Sequence, residues 1–282
     1  MKSKNRILLL TDFSDVWQYT RQPITLESSL SPGQVGSDVD IMHIINTPVE
    51  WSKLPLEREK LYPEVKAEIG NARAKLSKMV MDYSREDLKA VESLVFNLGV
   101  ENIPKHIDSK KYDLIIMGSH GSKGLKPFSI GSNAQSVIRN AEIPVLVVKT
   151  PPENEKIGNI VMATTLEEDQ RPYYKQLLNF AAEFNADVDL LFVNTPYNFR
   201  ETKEIKKMHT ALCEEGAAKN CENYHVDAYN EERGIQYFME DSDAEIFAIA
   251  KRERSKFNGL FSSSLSEAVV NHLEIAVLVF HV

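Results

Sequence analysis

Long hydrophobic runs are missing from this sequence of 282 residues. No apolar run approaches the roughly 20 residues that a membrane-spanning helix requires. The apolar run near the N-terminus, Ile7–Leu10, is soon followed by Asp12 and by no cleavage site of small residues, so it is too short for a secretion signal. These absences predict a cytoplasmic protein that has no membrane partner.

Cysteine is also scarce, with Cys213 and Cys221 as its two occurrences. They are eight positions apart in a segment that the pattern predicts to be helical, which would place them about two turns apart. That separation is too large for an undistorted disulfide, so the sequence predicts two ordinary thiols. The seven histidines show no pair at metal-ligand spacing, and no metal site is predicted.

Basic residues are outnumbered, at 33 Lys and Arg against 41 Asp and Glu. The imbalance lies in residues 151–282, which carry 13 basic and 23 acidic residues, whereas residues 1–150 carry 20 and 18. An acidic second half argues against nucleic-acid binding by the whole chain. A site for an anionic ligand is therefore expected in the first half.

Three segments of the first half recur in the same order in the second half. Asp38–Pro48 is echoed by Asp187–Pro196, Arg6–Asp15 more loosely by Asn159–Glu168, and Asp113–Val148 by Glu245–Phe280 without a gap, 132 positions further on. Such self-similarity indicates two copies of one domain. The segment between them, Lys149–Gly158, is rich in proline and charge. We therefore predict domains at 1–150 and 158–282.

Each copy alternates short apolar runs with helical patterns. In the first copy the predicted strands are Ile7–Leu10, Val39–Ile45, Leu94–Phe96, Leu114–Met117 and Val145–Val148, and the predicted helices include Glu64–Tyr83 and Ala134–Asn140. This alternation predicts an α/β fold of two tandem doubly wound domains, each a five-stranded parallel sheet flanked by helices. Ligands bind beyond the carboxyl ends of such strands, where Asp12 and Gly118 are expected.

Glycine is sparse as well, yet four of the 12 glycines fall between a strand and a helix, at positions 118, 121, 124 and 131. Glycine lets a backbone approach a ligand closely, and the N-terminus of a helix attracts phosphate. Ser132 is placed either to cap that helix or to bond a phosphate oxygen, and Lys123 and Lys126 lie on the loop. The spacing is neither that of the P-loop nor that of the dinucleotide fingerprint. On spacing alone, a purely structural strand-to-helix loop explains it equally well.

Three features together resemble the universal stress protein family. They are the spacing Gly-x2-Gly-x9-Gly-Ser at Gly118, Gly121, Gly131 and Ser132, the stretch LLLTDFSD after Ile7, and IPVLVV at the end of the copy. The resemblance covers residues 5–150 well and 158–282 in outline, so the chain is similar to a tandem member. It implies that the last strands of the two copies pair as a pseudo-dimer. A further homo-dimer and an unidentified protein partner are compatible with it.

The resemblance also implies a site for ATP or a related adenine nucleotide, with magnesium as an accompanying ion. In family members that bind ATP, the positions that match Asp12 and Ile44 border the adenine. Those that match Met117, Gly118, His120 and Gly121 contact ribose and phosphates, and those that match Gly131, Ser132, Asn133 and Ala134 cradle the phosphates. Two departures are visible. Ala134 stands where the family often has a hydroxyl residue, and the first crossover is long and contains Pro23.

The second copy lacks the loop glycines. Opposite Gly118, Gly121 and Gly131 stand Ala250, Glu253 and Ser263, and opposite Asp12 stands Thr165. A carboxylate near the phosphates would repel them by about 1–4 kcal/mol. The second copy is therefore predicted not to bind ATP and to serve a structural or regulatory role.

The sequence shows no catalytic constellation, since no base, nucleophile elbow or set of metal ligands accompanies the loop. The leading hypothesis is a stress-response protein that acts as a nucleotide-dependent switch. One alternative is a nucleotide-free adaptor in which both copies are protein-interaction surfaces. The other is a slow ATPase or autokinase with Ser129 or Ser132 as acceptor.

Overall fold

The computed structural model describes residues 6–14, 38–84, 88–98, 103–119, 130–149, 157–216, 221–251 and 263–281. In these ranges ten strands form one continuous sheet in the order β3-β2-β1-β4-β5-β10-β9-β6-β7-β8. The strands are β1 Arg6–Leu10, β2 Asp38–Thr47, β3 Lys89–Leu98, β4 Leu114–Gly118, β5 Val145–Val148, β6 Asn159–Ala163, β7 Asp187–Asn194, β8 Asn223–Asp227, β9 Ile246–Lys251 and β10 Ala276–His281.

The sheet consists of two five-stranded parallel halves, one from each copy, joined by an antiparallel pairing of β5 with β10. Leu146 lies opposite Leu278, its own equivalent 132 positions later, so a pseudo-twofold axis passes through this pair. The predicted fold class and the predicted pairing through the last strands are confirmed. The pairing has a physical motive, since a bare apolar edge strand would invite aggregation.

Six described helices cover the two faces of the sheet. They are α1 Pro63–Tyr83, α2 Ser132–Asn140, α3 Arg171–Phe184, α4 Thr202–Gly216, α5 Glu231–Glu240 and α6 Ser263–His272. The apolar stripe of α1, with Leu76, Met79 and Tyr83, packs into the core on one face. The stripe of α2, with Val137 and Ile138, packs into the core on the other face. The two helices that border the candidate site therefore stand on opposite sides of the sheet.

The secondary structure agrees with the ungapped alignment of the two copies. β4, α2 and β5 correspond to β9, α6 and β10 at the same offset of 132 positions, to within one residue at each end.

One strand differs from its prediction: β3 spans Lys89–Leu98, whereas the apolar run predicted only Leu94–Phe96. β3 is an edge strand with exposed Lys89 and Glu92, and an edge strand needs no continuous apolar run.

The prediction of two free thiols is wrong, because Cys213 and Cys221 form a disulfide with their Cα atoms 6.2 Å apart. The prediction treated the segment as one continuous helix. α4 ends at Gly216 instead, and Cys221 lies just before β8. The disulfide therefore ties the last turns of α4 to the start of the neighbouring strand.

We expect His209 on α4 to make the stability of the second copy depend on pH. The side chain is 2% exposed, and burial lowers its pKa to about 4. The unfolded state therefore binds the proton more readily, and stability falls as the pH drops from about 6.5 towards 4. We expect this loss to reach about 3 kcal/mol and to be absent from the His209→Leu variant. Urea unfolding at pH 7 and pH 4.5 measures it.

The matched control for His209 is His272→Leu, since His272 is exposed at the end of α6. This variant is expected to keep the pH dependence of the wild type. An equal pH dependence in His209→Leu and the wild type would contradict the assignment.

Candidate functional site

A cleft of about 950 Å³ opens at the carboxyl edge of the first half-sheet. It lies where β1 stands between β2 and β4, the point at which the strand order reverses and ligands bind in doubly wound sheets. Its walls come from the ends of β1, β2 and β4, from one face of α1 and from the N-terminus of α2.

Eight of the ten predicted site residues line this cleft. They are Asp12, Ile44, Met117, Gly118, Gly131, Ser132, Asn133 and Ala134. The other two, His120 and Gly121, lie outside the described residues, as do Lys123, Lys126, Ser129 and the crossover that contains Pro23. The structure thus brings together residues that are up to 122 positions apart in the chain.

The N-terminus of α2 presents backbone amides to the cleft. Gly131 is the N-cap residue, and within the described part of the chain no side chain caps this helix. The Gly131 amide donates to the Ser119 carbonyl oxygen at 2.8 Å, and the Gln135 amide returns to the Gly131 carbonyl oxygen at 3.0 Å. The three residues between them, Ser132 to Ala134, therefore begin the helix at the wall of the cleft. Uncapped first-turn amides and the helix dipole suit an anion.

Ser132 does not cap the helix, because it is the first helical residue. Its side chain lines the cleft, and a hydrogen bond from it to a ligand stays a prediction. Gly131 has φ −60° and ψ 146°, an extended conformation open to any residue. The backbone freedom of glycine is therefore not what this position requires.

Asp12 is held by a short turn after β1. Its Oδ1 accepts the Ser14 amide at 3.0 Å and the Ser14 hydroxyl at 2.6 Å. Phe13 adopts a left-handed φ of 63°, and its amide donates to Thr11 Oγ1 at 3.0 Å. The second copy keeps this turn: Leu166 has φ 62°, and its amide donates to Thr164 Oγ1 at 3.0 Å. The turn is a property of the fold, whereas the carboxylate of Asp12 is specific to the first copy.

Three side chains stack beside this turn. The ring of Phe13 lies 4.1 Å from that of His43, and Lys75 Nζ lies 5.0 Å from the centre of the Phe13 ring. His43 Nδ1 contacts the Thr11 carbonyl oxygen at 2.7 Å, so this nitrogen carries the proton. Burial lowers the pKa of His43. The neutral ring then offers Nε2 as an acceptor in the wall of the cleft.

The sequence reasoning missed the wall that α1 provides. Glu64, Glu68, Asn71 and Lys75 line the cleft along one face of this helix. The signal was present, since the four positions are spaced by four, three and four residues. The carboxylates of Glu64, Glu68 and Asp12 outnumber the ammonium of Lys75, so the α1 side of the cleft carries a net negative charge. A phosphate group is therefore better placed at the α2 side.

The equivalent edge of the second copy is built differently. Ala250, opposite Gly118, is 1% exposed, and Thr165, opposite Asp12, is 6% exposed. Lys251, which follows Ala250, is 5% exposed and stands where the first copy has Ser119. Ser263 and Ser264 open α6 where Gly131 and Ser132 stand in the first copy, and Glu253 lies outside the described residues.

The described residues contain no group of three or more His, Cys, Asp or Glu side chains placed to hold a metal ion. No described helix combines the length and the hydropathy that crossing a membrane requires.

Fold and cleft together define a tandem α/β protein with a candidate ligand site in its first copy. The sequence profile of the universal stress protein family matches residues 31–149 and again residues 156–281. The chain therefore belongs to this family and carries the family domain twice.

Relatives and a solved structure agree with this assignment. A universal stress protein of Methanocaldococcus jannaschii is 34% identical over 113 residues, which are 40% of this chain and 62% of that protein. A second one from the same organism is 28% identical over 157 residues, covering 51% of this chain and 94% of that protein. The crystal structure of a universal stress protein from Archaeoglobus fulgidus matches with a TM-score of 0.70 and 16% identity over 99% of both chains. That last likeness concerns the fold alone.

Proposed function

We propose that the first copy binds an adenine nucleotide, ATP with magnesium, in the cleft between α1 and α2, and that the second copy does not. The observation that supports this proposal is that one cleft contains both a helix N-terminus suited to phosphates and an apolar, aromatic wall suited to a base. The uncapped N-terminus of α2 offers amides to phosphates. The wall of Phe13, His43, Ile44 and Met117 offers aromatic and apolar contact to a base.

The distribution of charge in the cleft determines the proposed orientation of the nucleotide. Acidic side chains on α1 and after β1 disfavour phosphates there, which places the triphosphate against Gly131 and Ser132. The base then lies towards Ile44 and His43, where Nε2 is an acceptor for an amino group such as that of adenine. Asp12 borders the same side, as the family resemblance implies. Magnesium would arrive with the phosphates.

We propose a switch and not an enzyme with fast turnover. Hydrolysis requires a positioned water and charge stabilisation at the γ-phosphate, and we assign neither task to a described side chain. Binding would order the α2 end of the cleft and so change a surface that a partner protein reads. The cytoplasmic location, the domain boundaries 1–150 and 158–282 and a further homo-dimer stay predictions.

The wild-type protein tests the proposal directly. With Mg-ATP at a hundred times its dissociation constant, the free energy of unfolding should rise by about 2.7 kcal/mol. Thermal unfolding and titration calorimetry measure this, and Mg-GTP tests the preference for adenine. No shift at millimolar Mg-ATP would contradict the proposal.

A second candidate function is the adaptor without nucleotide. The observation in its favour is a set of exposed aromatic residues after β7 and β8, at the carboxyl edge of the second half-sheet. Tyr197, Phe199 and Tyr229 are 102%, 71% and 81% exposed. Aromatic residues are enriched in protein interfaces. A failed Mg-ATP titration would favour this function.

A further inference from the structure

The two copies touch through α2 and α6 as well as through the sheet. Glu267 on α6 accepts hydrogen bonds from Gln135 Nε2 at 2.9 Å and from Arg139 Nε and Nη2 at 2.9–3.1 Å. The Glu267 side chain is 12% exposed and that of Arg139 is 57% exposed, so the bidentate ion pair is shielded from water on the Glu267 side only. The side of the proposed phosphate-binding helix is therefore fixed to the second copy.

A second contact lies directly before the proposed phosphate site. Asn271 Oδ1 accepts the backbone amide of Ile130 at 2.7 Å, and Ile130 immediately precedes the N-cap Gly131. The backbone carbonyl oxygen of Asn271 accepts a hydrogen bond from Lys149 Nζ at 2.9 Å. A side chain of the second copy thus fixes the backbone at the point where the loop enters α2.

A third contact holds the other end of the same helix. Lys251 Nζ donates to the carbonyl oxygens of Ile138 at 3.0 Å and Arg139 at 2.6 Å. His281 Nε2 also contacts the Ile138 carbonyl oxygen, at 2.8 Å. A buried ammonium at the C-terminal end complements the helix dipole. The second copy therefore contacts α2 at its start, along its side and at its end.

The first copy cannot make the equivalent contact at the loop entry of α6. The position equivalent to Asn271 in the first copy is Arg139, and a guanidinium has no acceptor for a backbone amide. The position equivalent to Lys251 is Ser119, whose side chain is too short to reach across a helix end in the same way. At the loop entry the support therefore runs from the second copy to the first, whereas the C-terminal end of α6 is contacted in return by Lys149 of the first copy.

We propose that the second copy positions the phosphate-binding helix of the first, with Asn271 as the positioning residue for the loop entry. This inference rests on the proposed function. A displacement of about 1 Å in such a site is enough to weaken it severely, and amides are useful to phosphates only when their directions are fixed. Asn271 touches no ligand in this account. It acts through Ile130 on the amides that follow Gly131.

The test compares Asn271→Leu, which has similar volume and no acceptor, with the wild type. The dissociation constant of Mg-ATP is expected to rise at least fivefold, while that of adenosine, which has no phosphates, stays unchanged. Calorimetry measures the first and ligand-detected NMR the second. Asn271→Ala removes the same acceptor without the apolar bulk and serves if the leucine variant is poorly folded.

The matched control is His272→Ala, the next residue on α6, whose ring pairs with Glu232 inside the second copy. It should bind Mg-ATP as the wild type does. An unchanged Mg-ATP affinity in both Asn271 variants, or an equal loss of adenosine affinity, would overturn the inference.

Failure of the proposed function gives a different result. If the wild type binds neither Mg-ATP nor adenosine, both proposals fall. Amide hydrogen exchange at Ile130 then still reports whether Asn271 holds the loop entry, because faster exchange in the variants does not depend on nucleotide. Normal nucleotide binding with slow Ile130 exchange in the variants would overturn only the role of Asn271.

Discussion

The Gly131→Glu variant is expected to lose about a hundredfold in affinity for Mg-ATP while it keeps its fold. The new carboxylate would stand at the N-cap of α2, where the proposed phosphates lie, and would repel them by about 1–4 kcal/mol. It would also occupy the space that a glycine leaves open. The fold should tolerate it, since Gly131 has an extended backbone conformation and an acidic group suits a helix N-terminus. Titration calorimetry measures the loss, and thermal unfolding should show no shift with Mg-ATP.

Gly70→Glu is the matched control for this variant. It introduces the same residue and the same charge at another glycine of the first copy, on α1, where a Cβ meets nothing within 4 Å. Its Mg-ATP affinity should equal that of the wild type. If Gly131→Glu retained full affinity, the phosphates would have to bind elsewhere. Gly131→Ala separates the two causes, since it adds bulk without charge.

The fold was predictable because several weak signals agree. Apolar runs alternate with helical patterns, and the three echoed segments fix which strands correspond. The pairing of β5 with β10 was predicted from the family resemblance and not from the repeat, since Val147 and Val145 lie opposite Val277 and Val279, which are not their equivalents. Only part of edge strand β3 was predicted, because its extent is set by pairing with its neighbour β2 and not by a run of apolar residues.

The site was predictable where it depends on the carboxyl edge of the parallel sheet. Asp12, Gly118 and Gly131 meet because parallel strands end at one edge, whatever their distance in the chain. The left-handed conformation of Phe13 and its stack with His43 were not predictable, since no sequence signal marks a non-glycine residue with positive φ. The polar residues of α1 that line the cleft are spaced at helical intervals, but only the apolar residues of the same helix were interpreted, and these were assigned to the core.

Contacts between the copies lie beyond sequence reasoning for a clear reason. The repeat relates residue to equivalent residue, whereas Asn271 binds Ile130, which is not its equivalent. Such pairs depend on the relative orientation of the two copies.

The disulfide was also missed, because it forms only if the helix ends before Cys221. The helix ends at Gly216, which allows Cys213 and Cys221 to come together.

Leu278→Ala should lower the free energy of unfolding by about 3–5 kcal/mol. Leu278 is 1% exposed on β10, opposite Leu146 on β5, in the core that both copies share. Truncation of a buried leucine costs its transfer free energy and leaves a cavity that a continuous sheet cannot easily close. The matched control is Leu61→Ala, since Leu61 is 71% exposed and should change stability by less than about 0.5 kcal/mol.

The position of the two tryptophans makes this variant a test of how the copies fold. Trp17 and Trp51 both lie in the first copy, whereas Leu278 lies in the second. If the joined sheet makes one cooperative unit, Leu278→Ala shifts the urea midpoint equally by tryptophan fluorescence and by far-UV circular dichroism. A fluorescence midpoint that stays at the wild-type value, while circular dichroism moves, would show that the first copy unfolds independently. The contacts of the second copy with α2 would then add little to the free energy of unfolding, and their effect would have to appear in nucleotide affinity alone.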